Sequence, residues 1–478
     1  MSVNIKAEIN NENTPPKKEK EKQKGVNTFV LLFVIVVISA ILTYLIPAGT
    51  FERVEINGRT VVQEGTFQYK DSTPVGLFEL VTSIPNGMVE AGGVIFFVLL
   101  MGGYFGILRA TGAIDALITL LSKKLGNHEK LTIPVLMLFF AIIAALTGAA
   151  ESNLVYIPIL VPLVIALGFD TMTGLAIILV GSSVGFTAAV MNPFTVGVAQ
   201  EIAELPIFSG LGLRLILLLV LYTLAVIFVY RYAIKVKKNP ELGDYGKYAP
   251  QNERAKVNND FKLDNRHKFV LFFFVLNFIV LIFGVLKYNW FIQDLAGLFF
   301  LFCILVGFAG KLAPSSIAEN FVVGAKELLE AALIIGVARA ILVVLSEGQI
   351  MDTILFHAGN IVSQIPTMFT PLGMFIIQMV LDFFVPSGSG KAALTMPIMV
   401  PLSDLVGVTR QTTILAYQFG DGITNLIFPT SSYLMAALSI TGIAYGKWLK
   451  WLFPFLVIQL ICAIVTLLIA QFIQYGPF

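Results

Sequence analysis

Charged and reactive side chains are scarce in this sequence. Asp, Glu, Lys and Arg make up 13% of the 478 residues, against about a quarter in an ordinary soluble protein. There are only two cysteines and three histidines. Both cysteines, Cys303 and Cys462, lie inside apolar runs, so we expect neither a disulfide framework nor a metal site. The formal net charge of +2 is too small to indicate binding to nucleic acid.

Motifs for metal-dependent catalysis and for ATP hydrolysis are also missing. The sequence contains no His-Glu-x-x-His and no G-x-x-x-x-G-K-[ST]. Residues 386–391, PSGSGK, resemble a P-loop only superficially, because the first glycine is missing and Ala392 follows the lysine. The chain is therefore expected to be neither an enzyme nor an ATP-driven pump, and no cofactor is predicted.

Apolar length is what the sequence has in abundance. Hydrophobic residues make up 57% of the chain, and runs of roughly the twenty residues needed to cross a bilayer recur from one end to the other. This pattern predicts an all-α, polytopic membrane protein whose main partner is the lipid bilayer. The runs are 27–47, 92–110, 131–147, 171–190, 211–234, 269–287, 291–310, 332–346, 368–385, 410–428 and 448–474.

Basic residues predict the orientation of these helices. The N-terminal segment 1–26 is polar and basic, and residues 231–268 hold ten Lys and Arg. Basic segments stay in the cytoplasm, so we expect a disordered cytoplasmic N-terminus and a cytoplasmic linker at 236–268. Residues 50–73 have no basic excess and fit the outer face. These features predict a multi-pass protein of the cytoplasmic (inner) membrane.

The two halves of the chain resemble each other. A shift of 239 positions places PILVPL at 158–163 on PIMVPL at 397–402, and a shift of 240 places Pro74 and Glu90 on Pro314 and Glu330. A collinear series of such matches indicates a duplication. We therefore divide the chain into repeat 1, residues 27–235, and repeat 2, residues 269–478.

The position of the basic residues indicates that the repeats are inverted. The last helix of repeat 1, 211–234, carries its basic cluster at the C-terminal end. The last helix of repeat 2, 448–474, has Lys447 and Lys450 at its N-terminal end. If the basic ends both face the cytoplasm, the two helices cross the membrane in opposite directions.

Polar, backbone-breaking stretches interrupt the apolar pattern at matching places in the two repeats. Residues 148–168 and 387–407 are predicted as re-entrant hairpins with tips at GAAESN and SGSGK. The helices that follow are predicted to break at 181–195 and 420–432. In inverted-repeat transporters the substrate lies near the membrane midplane, where broken helices expose backbone groups. The four elements therefore predict one solute-binding site.

Helix packing is the alternative interpretation of these stretches, since small and hydroxyl residues also mediate contacts between membrane helices. Three ionisable residues, Glu151, Lys391 and Asp421, lie within them. An ionisable group at the centre of a membrane helix costs at least ~2.5–3.5 kcal/mol. Their presence favours a functional site.

These motifs resemble the YfcC-type branch of the four-carbon dicarboxylate anaerobic carrier family, within the ion transporter superfamily. The resemblance rests on the paired hairpins, on NPF after a glycine-rich break and on GDGITN with the PTS that follows, and it covers roughly residues 27–474. It implies a scaffold domain, a transport domain with elevator-type movement, and often a homodimer. Relatives in this branch include dicarboxylate carriers and basic amino acid exchangers of the arginine/ornithine type.

The resemblance also implies a set of substrate-binding residues on the two hairpins and the two broken helices. They are Glu151, Ser152, Asn153, Asn192, Pro193, Thr195, Ser387, Ser389, Lys391, Asp421, Thr424, Asn425, Thr430 and Ser431.

The hairpin tips differ from those of sodium-coupled relatives, which carry Ser-Asn-Thr at both. Here the tips read AESN and SGSGK, so the coupling ion, sodium or proton, stays open, and the ammonium of Lys391 could take the place of a cation. Both signs of charge in one pocket suit a zwitterion, with Lys391 on a carboxylate and Glu151 or Asp421 on an amino or guanidinium group. An internal pair of Lys391 with Glu151 or Asp382 is the alternative. We expect an amino acid carrier, and an ion-coupled dicarboxylate carrier is the second hypothesis.

Overall fold

The computed structural model describes residues 28–56, 59–63, 65–113, 116, 129–148, 151–248, 264–288, 290 and 292–476. The predicted N-terminal segment 1–26 and the centre of the predicted linker lie outside these residues.

The described residues are mostly helical. The helices are α1 (Thr28–Leu45), α2 (Leu77–Glu90), α3 (Gly92–Ala110), α4 (Glu129–Thr147), α5 (Ile157–Ala166), α6 (Thr171–Ala188), α7 (Val198–Ile202), α8 (Leu211–Lys238), α9 (Asn265–Tyr288), α10 (Ile292–Ala309), α11 (Pro314–Glu327), α12 (Leu329–Glu347), α13 (Met351–Val362), α14 (Thr370–Phe384), α15 (Gly388–Val406), α16 (Arg410–Thr424), α17 (Ser432–Thr441) and α18 (Tyr445–Phe472).

Six of the described helices, α3, α6, α8, α10, α12 and α18, are long and apolar enough to cross a membrane. Shorter apolar helices, including α1, α14 and α17, precede or separate them. Each of the eleven predicted apolar runs overlaps a described helix. The run 410–428 extends past its helix, which ends at Thr424 because the following residues form a break. The prediction of a polytopic helical membrane protein is confirmed.

Two small antiparallel sheets connect α1 to α2. Strand β1 (Gly49–Thr50) pairs with β4 (Gln68–Tyr69), and β2 (Arg53–Ile56) pairs with β3 (Arg59–Val62). Asp352 on α13 holds this region, because its carboxylate accepts a hydrogen bond from the backbone N–H of Phe51 and pairs with Arg53 at 2.9 Å.

Among the described residues, a similar order of elements occurs in both halves, and helices of one half pack on helices of the other. Helix α2 packs on α12, and α3 packs on α11. Glycines allow both close crossings: a Cβ on Gly87 would lie 2.6 Å from the backbone N of Ala340, and one on Gly102 would lie 2.7 Å from the carbonyl of Gly324. Neither crossing has room for a side chain at these positions.

The last helices of the two halves, α8 and α18, run antiparallel to each other. Lys447, at the start of α18, pairs at 3.0 Å with Asp244, which follows the end of α8. At the opposite ends, the hydroxyl of Tyr475 donates to the carbonyl of Gly210.

Helices α6 and α16 form the centre of the fold. Every residue of α6, and every residue of α16 after Arg410, is buried. The two helices also bond to each other, since Gln418 Nε2 donates to the carbonyl of Phe186 at 2.6 Å. A helix that is buried on all sides belongs to the interior of a large protein.

The prediction of a hairpin within residues 387–407 is wrong. This segment is one continuous helix, α15, which accommodates Pro397 and Pro401 in its interior. Prolines are tolerated in membrane helices where neighbouring groups satisfy the freed carbonyls. The turn lies earlier, at 385–387, between α14 and α15. Likewise, the described residues of the predicted hairpin 148–168 form a 3-10 helix (Glu151–Tyr156) followed by α5, and no second arm lies among them.

Candidate functional site

A cavity of about 300 Å³ lies where the two breaks meet other helices of the bundle. From the predicted site, it is lined by Thr195, Ser387, Ser389, Asp421, Asn425, Thr430 and Ser431. Its remaining walls come mainly from α2, α3, α10 and α12 and include Glu90, Trp290 and Arg339. A pocket of this size is at the lower end for small-molecule sites.

The first break begins where α6 ends. Ala189 adopts a left-handed conformation with φ of 42°, and a π-helix starts at Pro193. Asn192 Oδ1 caps this turn by accepting from the backbone N–H groups of Phe194 at 2.9 Å and Thr195 at 3.2 Å. The Nδ2 of Asn192 and the Oγ1 of Thr195 are buried and have no hydrogen-bond partner among the described residues. Thr195 lines the cavity, so its hydroxyl is a candidate for a bond to a solute, whereas Asn192 lies behind the cavity surface.

The second break separates α16 from α17. Its exposed carbonyls are satisfied by α18, since Trp448 Nε1 donates to Leu426 O at 2.9 Å and Tyr445 OH donates to Ile427 O at 2.6 Å. Non-helical backbone at membrane depth requires such partners. The hydroxyl of Thr430 is buried and has no partner in the described part of the chain, although it lines the cavity.

Three buried charges lie behind this break. Lys391 on α15 places its ammonium 2.6 Å from Asp382 Oδ1 on α14 and 2.8 Å from Asp421 Oδ1 on α16. All three side chains are at most 1% exposed. Thr424 donates to the second oxygen of Asp382 at 2.5 Å, and the ring of Tyr417 lies 5.5 Å below the ammonium. The charges are therefore paired, as buried charges must be.

Asp382 and Asp421 do not share the ammonium of Lys391 equally. A single ammonium serves two carboxylates, and Asp382 is the better bonded of the two. The contact to Asp421 has the distance of an ion pair but not the alignment of a hydrogen bond, and neither oxygen of Asp421 has a hydrogen-bond partner among the described residues. Asp421 also lines the cavity. This carboxylate can therefore accept a bond from a cationic solute.

The first half has a neutral contact at the corresponding place. Ser182 precedes Asp421 by 239 positions, and it accepts a hydrogen bond from Asn153 Nδ2 at 2.9 Å. Asn153 is adjacent to position 152, which precedes Lys391 by the same number. Among the described residues, this contact is therefore charged in the second half and neutral in the first.

The predicted site residues divide into three groups. Half line the cavity, as given above. Asn153, Asn192, Lys391 and Thr424 lie behind its surface, where they bond to other protein groups. The side chains of Glu151, Ser152 and Pro193 lie outside the described part of the structure, so a pair of Glu151 with Lys391 stays a prediction.

Sequence reasoning missed several groups at the site. Asp382 entered only as an alternative partner of Lys391, although a carboxylate inside the apolar run 368–385 is itself a signal of function. Glu90 and Arg339 were not predicted, and no motif marks them, because the contact between α2 and α12 alone brings them together.

Comparison with known proteins identifies the family of this chain. Residues 26–472 match the DcuC family, described as C4-dicarboxylate anaerobic carrier. The chain belongs to the C4-dicarboxylate anaerobic carrier family. It is thus a membrane transporter and not an enzyme, as the sequence predicted.

Relatives of this carrier are similar over nearly their whole length. An Escherichia coli (strain K12) protein, YfcC, named as a proposed basic amino acid antiporter, is 32% identical over 94% of this chain and 97% of its own. A Haemophilus influenzae protein is 28% identical over 91% of this chain and 95% of its own.

Two solved transporter structures are more distant from this C4-dicarboxylate carrier family member. The Alcanivorax borkumensis YdaH transporter has 14% identity and a TM-score of 0.43 over 95% of this chain and 100% of its own. Neisseria gonorrhoeae MtrF, from a class of antimetabolite efflux pumps, has 18% identity and a TM-score of 0.43 over 94% of this chain and 95% of its own. Similarity at this level adds nothing to the family assignment.

Proposed function

We propose that this carrier exchanges basic amino acids across the cytoplasmic membrane. The observation that carries the proposal is Asp421, a buried carboxylate at the cavity wall whose oxygens accept no hydrogen bond within the described residues. Because Asp382 and Asp421 share one ammonium, the site favours a substrate that brings a positive charge. The name of the Escherichia coli relative, a basic amino acid antiporter, agrees with this substrate class.

Lys391 acts in this proposal as a resident cation. Its ammonium lies between two carboxylates and does not reach the cavity surface. A fixed ammonium makes a sodium ion unnecessary at that position. Transport is then expected to be exchange, without a requirement for sodium.

The transport cycle is proposed to be alternating access by an inverted repeat. The repeated element order, the exchange of partners between halves and the antiparallel α8 and α18 support inversion. The cavity lies between the broken segments and a group formed by α2, α10 and α12. An elevator-type cycle would move the broken segments along this group, which acts as scaffold and as the contact surface of a homodimer.

The test is counterflow into liposomes that contain the purified protein. Liposomes loaded with unlabelled arginine, lysine, ornithine or succinate are diluted into labelled arginine or labelled succinate, and uptake is measured. We expect arginine uptake that depends on an internal basic amino acid and is absent with internal succinate. Uptake of labelled succinate, with none of labelled arginine, would contradict the proposal.

A C4-dicarboxylate, coupled to an ion, is the second candidate substrate. It is favoured by the family description and by Arg339, whose guanidinium lines the cavity. A dicarboxylate would have to lie beside Asp421, however, and two like charges in a buried site repel each other strongly. The basic amino acid therefore fits the charges better.

A further inference from the structure

A second charged pair lies at the cavity, on helices that carry none of the residues predicted from sequence. Arg339 on α12 donates from Nε to Glu90 Oε2, at the end of α2, over 2.9 Å. Both residues line the cavity. Their side chains are 36% and 46% exposed, so a solute can reach them.

The pair is held at a rigid place. It lies beside the closest contact of α2 and α12, where a Cβ on Gly87 would lie 2.6 Å from the backbone of Ala340 and 2.7 Å from that of Gly336. Ala340 directly follows Arg339. Two backbones in such close contact do not easily shift against each other, so the backbone of Arg339 is held in one position in the cavity wall.

The guanidinium is only partly used. Its Nε serves Glu90, while no described residue accepts a hydrogen bond from the two terminal nitrogens. Those nitrogens form the planar fork that binds a carboxylate through two parallel hydrogen bonds. Glu90 already occupies part of the site with a carboxylate of its own, which shows the chemistry that Arg339 accepts.

We propose that Arg339 binds the carboxylate of the substrate and that Glu90 is the resident anion which the substrate partly or wholly replaces. This inference deepens the proposed function and rests on it for the substrate class, an amino acid with a second cationic group. Asp421 then receives a cationic group of the substrate and Arg339 its carboxylate. The two residues lie on different groups of elements, so a complete amino acid contacts both walls of the cavity, whereas a simple amine contacts only one.

The chain offers a matched control pair. Arg109 on α3 pairs with Glu327 at the end of α11 at 2.7 Å, in the other crossing of the same kind. Neither residue lines the cavity. A general effect of losing such an ion pair therefore appears in Arg109→Gln, while an effect on the substrate appears only in variants of Arg339 and Glu90.

The experiment compares arginine with agmatine, the same molecule without its carboxylate, in liposomes containing the wild type, Arg339→Gln, Arg339→Lys, Glu90→Gln or Arg109→Gln. The apparent Km for labelled arginine and the inhibition constant of agmatine are measured. For Arg339→Gln we expect the ratio of the Km for arginine to the inhibition constant of agmatine to rise about tenfold or more, because arginine loses one strong charged contact and agmatine does not. For Arg339→Lys we expect a smaller rise of this ratio than for Arg339→Gln. Glu90→Gln should lower the Km for arginine.

An unchanged ratio in Arg339→Gln, or the same change in Arg109→Gln, would overturn the proposal. Arg339→Lys, which keeps the charge, covers the case in which Arg339→Gln does not fold: an unchanged ratio of the two constants in Arg339→Lys contradicts a bidentate contact. If the wild type carries succinate instead of arginine, the proposed function is wrong. In that case Arg339→Gln should still raise the Km for succinate, because Arg339 would bind a carboxylate of that substrate. An unchanged Km for succinate in Arg339→Gln would overturn the inference about Arg339 separately.

Discussion

Lys391 shows how a residue that is costly in a membrane becomes useful. Its ammonium lies 2.6 Å and 2.8 Å from two carboxylates, with no exposure of its side chain. Removing one partner of a buried ion pair typically costs about 3–5 kcal/mol, because the other charge stays behind without compensation. The residue therefore stabilises the site and sets its charge.

Lys391→Gln is expected to abolish exchange, because Asp382 and Asp421 are left with no counter-charge. Added sodium or another small cation should restore part of the uptake if the ammonium stands in for a bound cation. Lys447→Gln is the control, since Lys447 also pairs with an aspartate but is 60% exposed. Normal kinetics in Lys391→Gln would show that the buried ammonium has no role in transport.

Asn192 has two roles that substitutions can separate. Its Oδ1 caps the π-helix, and loss of such a cap costs typically about 1 kcal/mol. Its Nδ2 is buried with no partner among the described residues. Asn192→Asp keeps the capping oxygen and removes the NH2 donor, whereas Asn192→Ala removes both. We expect uptake to be lost in both variants, although only Asn192→Ala loses the cap. Full uptake in Asn192→Asp would show that the amide serves the cap alone.

At the scale of the elements, the sequence predicted the positions of the long helices and of the two breaks, because apolar length and backbone-breaking residues determine them. The long helices coincide with the apolar runs, and the breaks fall at Ala189–Asn192 and after Thr424. The prolines of α15 were misinterpreted, because proline disfavours a helix only where its neighbours cannot satisfy the freed carbonyl. The assembly of Asp382 with Lys391 and Asp421 depends on a turn at 385–387, which spacing alone does not reveal.

The second break depends on donors from α18. Trp448 is fully buried, and its Nε1 donates to Leu426 O at 2.9 Å. Trp448→Phe keeps most of the packing and leaves that carbonyl without its donor, which costs about 1–3 kcal/mol in a buried site. We expect a lower melting temperature and slower uptake. Trp451→Phe is the comparison, since Trp451 packs on Phe228. Equal effects of the two changes would contradict a special role for the Trp448 hydrogen bond.

At the scale of the whole molecule, the account depends on opposite orientations of the two halves. The sequence predicted this from the basic residues at one end of each last helix. In the structure, α8 and α18 run antiparallel, with Lys447 beside Asp244. The side of the membrane on which these ends lie is a prediction from the positive-inside rule.

Single cysteines test the orientation in a variant from which Cys303 and Cys462 have been replaced. Glu241→Cys follows α8, Lys447→Cys begins α18, and Ile207→Cys precedes α8; the native residues at all three positions are exposed. An impermeant thiol reagent added outside intact cells should label only Ile207→Cys. The other two should react only after the membrane is opened. Labelling of Glu241→Cys from outside would reverse the predicted orientation. Labelling of Glu241→Cys and Lys447→Cys from different sides would contradict the antiparallel arrangement.

The central claim is that a cationic substrate binds at Asp421 and that Lys391 replaces a coupling cation. The most direct measurement is uptake of labelled arginine into arginine-loaded liposomes, with and without an imposed sodium gradient, for the wild type and Asp421→Asn. We predict equal uptake by the wild type in both conditions and loss of uptake in Asp421→Asn. Wild-type uptake that requires the sodium gradient, or unchanged uptake in Asp421→Asn, would contradict the account.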